Sequence, residues 1–128
     1  MQLKDQVCNP KLSKKLKELG VEQDSIFTWT GEEGDYYIRQ SPRLMYESAG
    51  MSQTIGEVLS AFTVAELGEM LPDYLGVVFN KSWLTCVKVG LWEVGYPEKE
   101  KSFEANTEAD ARAKLLIYLL ENNLVSND

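Results

Sequence analysis

The chain has 128 residues, 44% hydrophobic and 26% charged, with 13 basic side chains, 20 acidic ones and no histidine. That length fits a single domain over 1–128, and the apolar share can offset the entropy of ordering the chain, which excludes a disordered polymer. The net charge of −7 disfavours direct nucleic-acid binding, and the missing imidazole removes Ser-His-Asp and Cys-His catalysis and the commonest metal ligand.

The charge is unevenly spread. Five lysines against Asp5 and Glu18 make residues 1–20 basic, whereas ten acids against Arg39 and Arg43 make residues 21–76 strongly acidic. Such a division suits a solvated surface and can also steer a basic partner toward the middle segment. No stretch has the apolar length of a membrane span. The opening MQLKDQVCNP lacks the apolar core of a signal peptide, so the expected compartment is the cytoplasm. Cys8 and Cys86 form neither a CxxC pair nor a zinc spacing, and they read as free thiols serving as small hydrophobes.

In chain order, the first element is a helix over 9–19. Asn9 can cap it, Pro10 fits the first helical position, and Gly20 can close it. Leu12, Leu16 and Leu19 fall on one stripe, with the lysines on the other face. Ser25–Thr30 and Tyr36–Gln40 have strand composition and flank the loop GEEGD, which predicts a β-hairpin. The loop acids Glu32, Glu33 and Asp35 lack the ligand spacing of an EF-hand. Residues 41–61 carry no firm period: Ile55, Val58, Leu59 and Phe62 fit either a helical stripe starting near Ser52 or, equally, an irregular segment packed on the sheet.

Thr63 and Glu66 form a capping box for a short middle helix, 63–71, that Pro72 stops. Leu75–Asn80, Leu84–Val89, Leu91–Tyr96 and Ser102–Ala105 then have strand composition and predict an antiparallel meander. Gly90 makes 84–96 either a tight hairpin or one bulged strand. Alternation puts Trp92, Val94 and Tyr96 on one side of that strand, with Glu93 and Gly95 on the other. The last helix, 107–123, starts at the cap Thr107, and Ala109, Ala113, Leu116, Ile117, Leu120 and Leu124 give its buried spacing. The fold class is therefore α+β: an antiparallel sheet, hairpin plus meander, with N-terminal, short middle and C-terminal helices packed on it.

Three stretches, DQVCNPKLSKKLKELGV (5–21), SAFTVAELGEMLP (60–72) and FEANTEADARAKLLIYLLENNL (103–124), together resemble a family of small proteins encoded in phages, prophages and other mobile elements of gut bacteria. The family has no assigned activity, cofactor or catalytic residues. The resemblance implies a mobile-element origin and transfers no site residue.

Glycine-rich phosphate loops of the GxGxxG and GxxxxGK[ST] types are absent from the sequence, and no cofactor is expected. The function expected is a non-enzymatic interaction or accessory protein that binds a partner protein through residues 22–62. A second reading is a small-molecule or nucleotide-binding pocket using Tyr36, Arg39, Arg43, Tyr46 and Trp83. A third is an acidic mimic of DNA that occupies a basic protein, which the charge of −8 over residues 21–76 permits, whereas Glu32, Glu33 and Asp35 belong to the surface expected for the first reading. The oligomeric state stays open.

Overall fold

The computed structural model describes residues 2–32, 34–40, 57–76, 81–99 and 101–125. A short 3-10 turn, Leu3–Asp5, leads into helix α1, Pro10–Glu18. Strands β1 (Phe27–Glu32) and β2 (Asp35–Gln40) follow, then β3 (Glu57–Ser60) and helix α2 (Val64–Met70). Two short strands, β4 (Tyr74–Leu75) and β5 (Ser82–Trp83), precede β6 (Thr85–Val89), β7 (Leu91–Tyr96) and β8 (Lys101–Ala105). Helix α3, Glu108–Glu121, comes last. The α+β class is as the sequence predicts.

Among the described residues the strands form three antiparallel sheets, in the orders β2-β1-β3, β4-β5 and β6-β7-β8, where the sequence suggested one. Of the two readings for Ile55, Val58, Leu59 and Phe62, a helical stripe or an irregular segment, both are corrected at 57–60, which form a strand. Val58 and Leu59 belong to β3 and pair with Thr30 and Trp29 of β1. Partner strands decide short apolar runs, which periodicity alone cannot assign. Gly90 settles the 84–96 question in favour of a hairpin: β6 and β7 pair from Thr85↔Gly95 to Val89↔Leu91, and Gly90 takes the left-handed φ of 77° that the tight turn needs. The strand expected over Leu75–Asn80 is seen only at its start, and 77–80 lie outside the described residues.

The helix starts follow their sequence signals. Asn9 accepts from the Leu12 backbone N–H at 2.9 Å, with Pro10 in the first turn. Thr63 and Glu66 complete the capping box, and Thr107 accepts from the Asp110 N–H at 3.1 Å. The burial of α3 is broader than the single stripe expected. Ala109, Ala111, Ala113, Leu115, Leu116, Ile117 and Leu119 are all buried, because α1 and α2 pack on the helix as well as β7 and β8. Leu124, assigned to the buried side from its spacing, lies beyond the helix and is exposed.

Two buried clusters result. The larger joins Leu16, Phe62, Leu67, Val94, Tyr96 and the inner face of α3. As the alternation predicts, Val94 and Tyr96 are fully buried, and Trp92 packs against the same cluster. The smaller gathers Val7, Trp29, Leu59 and Ala61, flanked by Phe27, Tyr36 and Ile38. Gly95 marks a close approach between β7 and β8. A Cβ there would stand 2.1 Å from the Lys101 carbonyl oxygen, so only glycine fits.

Candidate functional site

Leu12 and Leu16 share one face of α1, yet only Leu16 is fully buried. The remainder of that face overlooks a groove between α1, α3 and β8, with a volume of about 530 Å³. Its apolar floor is Leu12, Phe103, Ile117 and Tyr118. Phe103 and Tyr118 hold each other at a centroid distance of 5.6 Å. Volumes of roughly 300–1,000 Å³ with apolar linings characterise ligand and anchor sites.

The rim is basic. Lys11, Lys14 and Lys15 come from α1 and Lys114 from α3, against Glu18 and Glu121, so the lining carries 4 − 2 = +2 in a chain of −7. The Lys101 ammonium adds a further cation 5.1 Å from the centre of the Tyr118 ring. Two of the rim lysines are engaged: Lys15 pairs with Glu121 at 3.4 Å, and Lys114 donates to the Glu104 carbonyl at 2.8 Å. Lys11 and Lys14 have no ion-pair or hydrogen-bond partner among the described residues.

Contacts at the N-terminal end of α1 set the separation of the two helices. At the start of α1 the Asp110 carboxylate accepts from the Asn9 backbone N–H at 2.8 Å and from its side-chain amide at 3.3 Å. A carboxylate at a helix N-terminus is stabilising by charge as well as by hydrogen bonding. Beside it the buried Cys8 thiol lies 3.1 Å from the Ser13 hydroxyl. Burial pushes the Cys8 thiol up to about 11, so it stays protonated and unreactive at neutral pH. At the far end, the Lys15–Glu121 pair crosses from α1 to α3.

The residues singled out from sequence are dispersed. Glu32 and Asp35 are exposed at the β1–β2 turn. Tyr36 turns toward the smaller core instead, half-buried beside Trp29 and Leu59. Arg39 faces the other side of the sheet, cross-strand from Thr28. Trp83 is 56% exposed in the β4–β5 sheet, 5.1 Å from Tyr74, whose ring carries the Lys81 ammonium at 4.1 Å. Glu33, Arg43 and Tyr46 lie outside the described residues, as do positions 41–56 of the unpatterned region. Sequence reasoning missed the groove. Its one available signal was the lysine-rich face of α1, which reads equally well as a solvated surface.

A smaller cleft of about 370 Å³ lies between Phe27, Val64, Trp92 and Glu108. Glu108 there is committed to Arg112 at 2.8 Å, and the Lys88 ammonium already sits 5.5 Å from the Trp92 ring centre. Cys86, beside Glu108, is half-buried, and desolvation and then that carboxylate raise its pKa. Among the described residues no three His, Cys, Asp or Glu side chains converge as a metal site, and no helix is long and apolar enough to cross a membrane. A scan of protein-family profiles and searches of curated proteins and of solved structures find no match to this chain.

Proposed function

We propose that this protein is a non-enzymatic binding domain that holds a segment of a partner polypeptide in the α1–α3 groove. The observation that carries this reading is the groove itself: an open apolar floor with a cationic rim on an otherwise acidic protein. Exposed aromatic and aliphatic floors with a polar rim are how interfaces concentrate binding energy. The resemblance to mobile-element proteins supports an accessory role in a phage or prophage, and the free cysteines Cys8 and Cys86 fit a reducing compartment such as the cytoplasm. The net charge of −7 disfavours a nucleic-acid ligand, whose backbone it repels.

The test is selection from a random peptide library on the immobilised protein, followed by binding to Tyr118→Ala. Tyr118 is part-exposed and lines the floor, and unchanged circular dichroism confirms the fold of the variant. Enriched peptides should lose most of their affinity for the variant. No enrichment, or peptides indifferent to Tyr118→Ala, overturns the proposal.

A further inference from the structure

We infer that the occupant of the groove is an acidic amphipathic helix of a partner protein, lying along α1 with its apolar face down and its carboxylates toward Lys11 and Lys14. This rests on the reading of the groove as a polypeptide site and adds the chemistry of the partner. Three observations select it.

The first is charge. The rim is +2 and retains two lysines with no partner among the described residues, so an occupant gains by carrying carboxylates. The second is shape. The groove is open to solvent, and covers one side of whatever lies in it. An alkyl chain or planar ring would keep its other side in water, whereas an amphipathic helix has one face that requires burial and one that requires water. The third is length. The nine residues of α1 span about 14 Å, which accommodates apolar anchors at i, i+4 and i+7 of a helix with a rise of about 1.5 Å per residue. The Lys15–Glu121 pair does not block this arrangement. Its side chains are 44% and 46% exposed, and an exposed pair contributes little, so an incoming carboxylate can replace Glu121 on Lys15.

The experiment measures fluorescence anisotropy of two labelled helical peptides of about 15 residues. One has Leu at i, i+4 and i+7 with Glu on the remaining face; the other has Lys in place of Glu. Each is titrated with the wild type and with Lys11→Ser/Lys14→Ser, at low and moderate salt, and laurate is titrated separately by calorimetry. The acidic peptide should bind the wild type, weaken with salt, and lose roughly tenfold in affinity for the double variant, as expected for two rim charges. The lysine variants lie on exposed positions of α1, and unchanged circular dichroism and melting temperature confirm their fold. Equal or tighter binding of the basic peptide, or indifference to the double variant, overturns the inference. Laurate binding without peptide binding overturns it in favour of a small carboxylate ligand. If the library selection enriches neutral or basic peptides that still need Tyr118, the groove reading stands and this inference fails; if nothing binds the groove, both fail.

Discussion

The β6–β8 unit and the β1–β3 sheet are held together in different ways. Around β6–β8, α3 covers one face of the sheet and is itself backed by α1 and α2, and apolar contact dominates: α3 alone buries Leu115, Leu116, Ile117 and Leu119. Among the described residues the β1–β3 sheet has a smaller cluster around Trp29 and Leu59, with α1 packed on β3, and polar contacts tie it to the rest. The Trp29 indole donates to the Cys8 carbonyl at 2.8 Å. The Ser25 hydroxyl donates to Glu66 at 2.8 Å, and the Ile26 N–H donates to the same carboxylate at 3.3 Å. The Lys17 ammonium reaches the Val58 carbonyl. Apolar area scales with the number of packed side chains, whereas each hydrogen bond contributes a net of about 0.5–1.5 kcal/mol. The helix-backed unit should therefore be the last to open, and the hairpin sheet the first.

The harshest way to break that ordering is Leu116→Ala. Leu116 is 2% exposed at the centre of the larger cluster, and its truncation should cost about 2–5 kcal/mol. Denaturant midpoints measure the loss, and amide exchange should accelerate across both regions, since the smaller one leans on the larger. Protection retained in β1–β3 with loss confined to α3 would show that the two are independent.

Next comes alkaline pH, acting where the regions meet. Cys8 belongs to the larger cluster, and its carbonyl receives the Trp29 indole. Burial raises its thiol from 9.0 to about 11, so the unfolded chain loses that proton first as pH rises. The contribution is complete below pH 9 and disappears as pH climbs through about 11, up to roughly 2–3 kcal/mol. Tyr96, whose hydroxyl donates to the Pro72 carbonyl, is pushed up to about 12 by burial and then by the charge of Asp73, giving a limb of the same sign at higher pH. Urea midpoints between pH 8 and 11 should fall for the wild type and flatten in that interval for Cys8→Ala. An unchanged slope in the variant would remove Cys8 from the account.

The mildest probe is Glu66→Gln, which keeps the size of a side chain that caps α2 and also accepts from Ser25 and Ile26. Replacing one carboxylate oxygen by an amide that faces donors should cost about 1 kcal/mol. Exchange should quicken in β1 and β3 and stay unchanged in α3. Equal acceleration in α3 would place Glu66 in the global fold and not in the seam between the two regions.

The candidate site was only partly legible in the sequence. Leu12 and Lys11, Lys14 and Lys15 were visible as the two faces of an amphipathic helix, and Tyr118 as one residue of a helix with buried neighbours. Nothing in those patterns says that Leu12 and Tyr118 stay partly uncovered together, since they come from opposite ends of the chain. The acids of the hairpin loop attracted attention because charge is easy to see in a sequence; a shared concave surface is not.

What the sequence determined by itself were short-range relations. Asn9-Pro10, Thr63 with Glu66, and Thr107 fix where the helices begin, because a cap is satisfied within three residues. The alternation of Trp92, Val94 and Tyr96 fixes which side of β7 is buried, because successive side chains of a strand point to opposite faces. Only the tertiary structure decided that Val58 and Leu59 form a strand, that the strands divide into separate sheets, and that Asp110 caps a helix 101 residues earlier in the chain. It also decided the groove. A groove is the apolar area left uncovered between two packed helices, and that area depends on the distance at which distant side chains hold them, which no local pattern encodes.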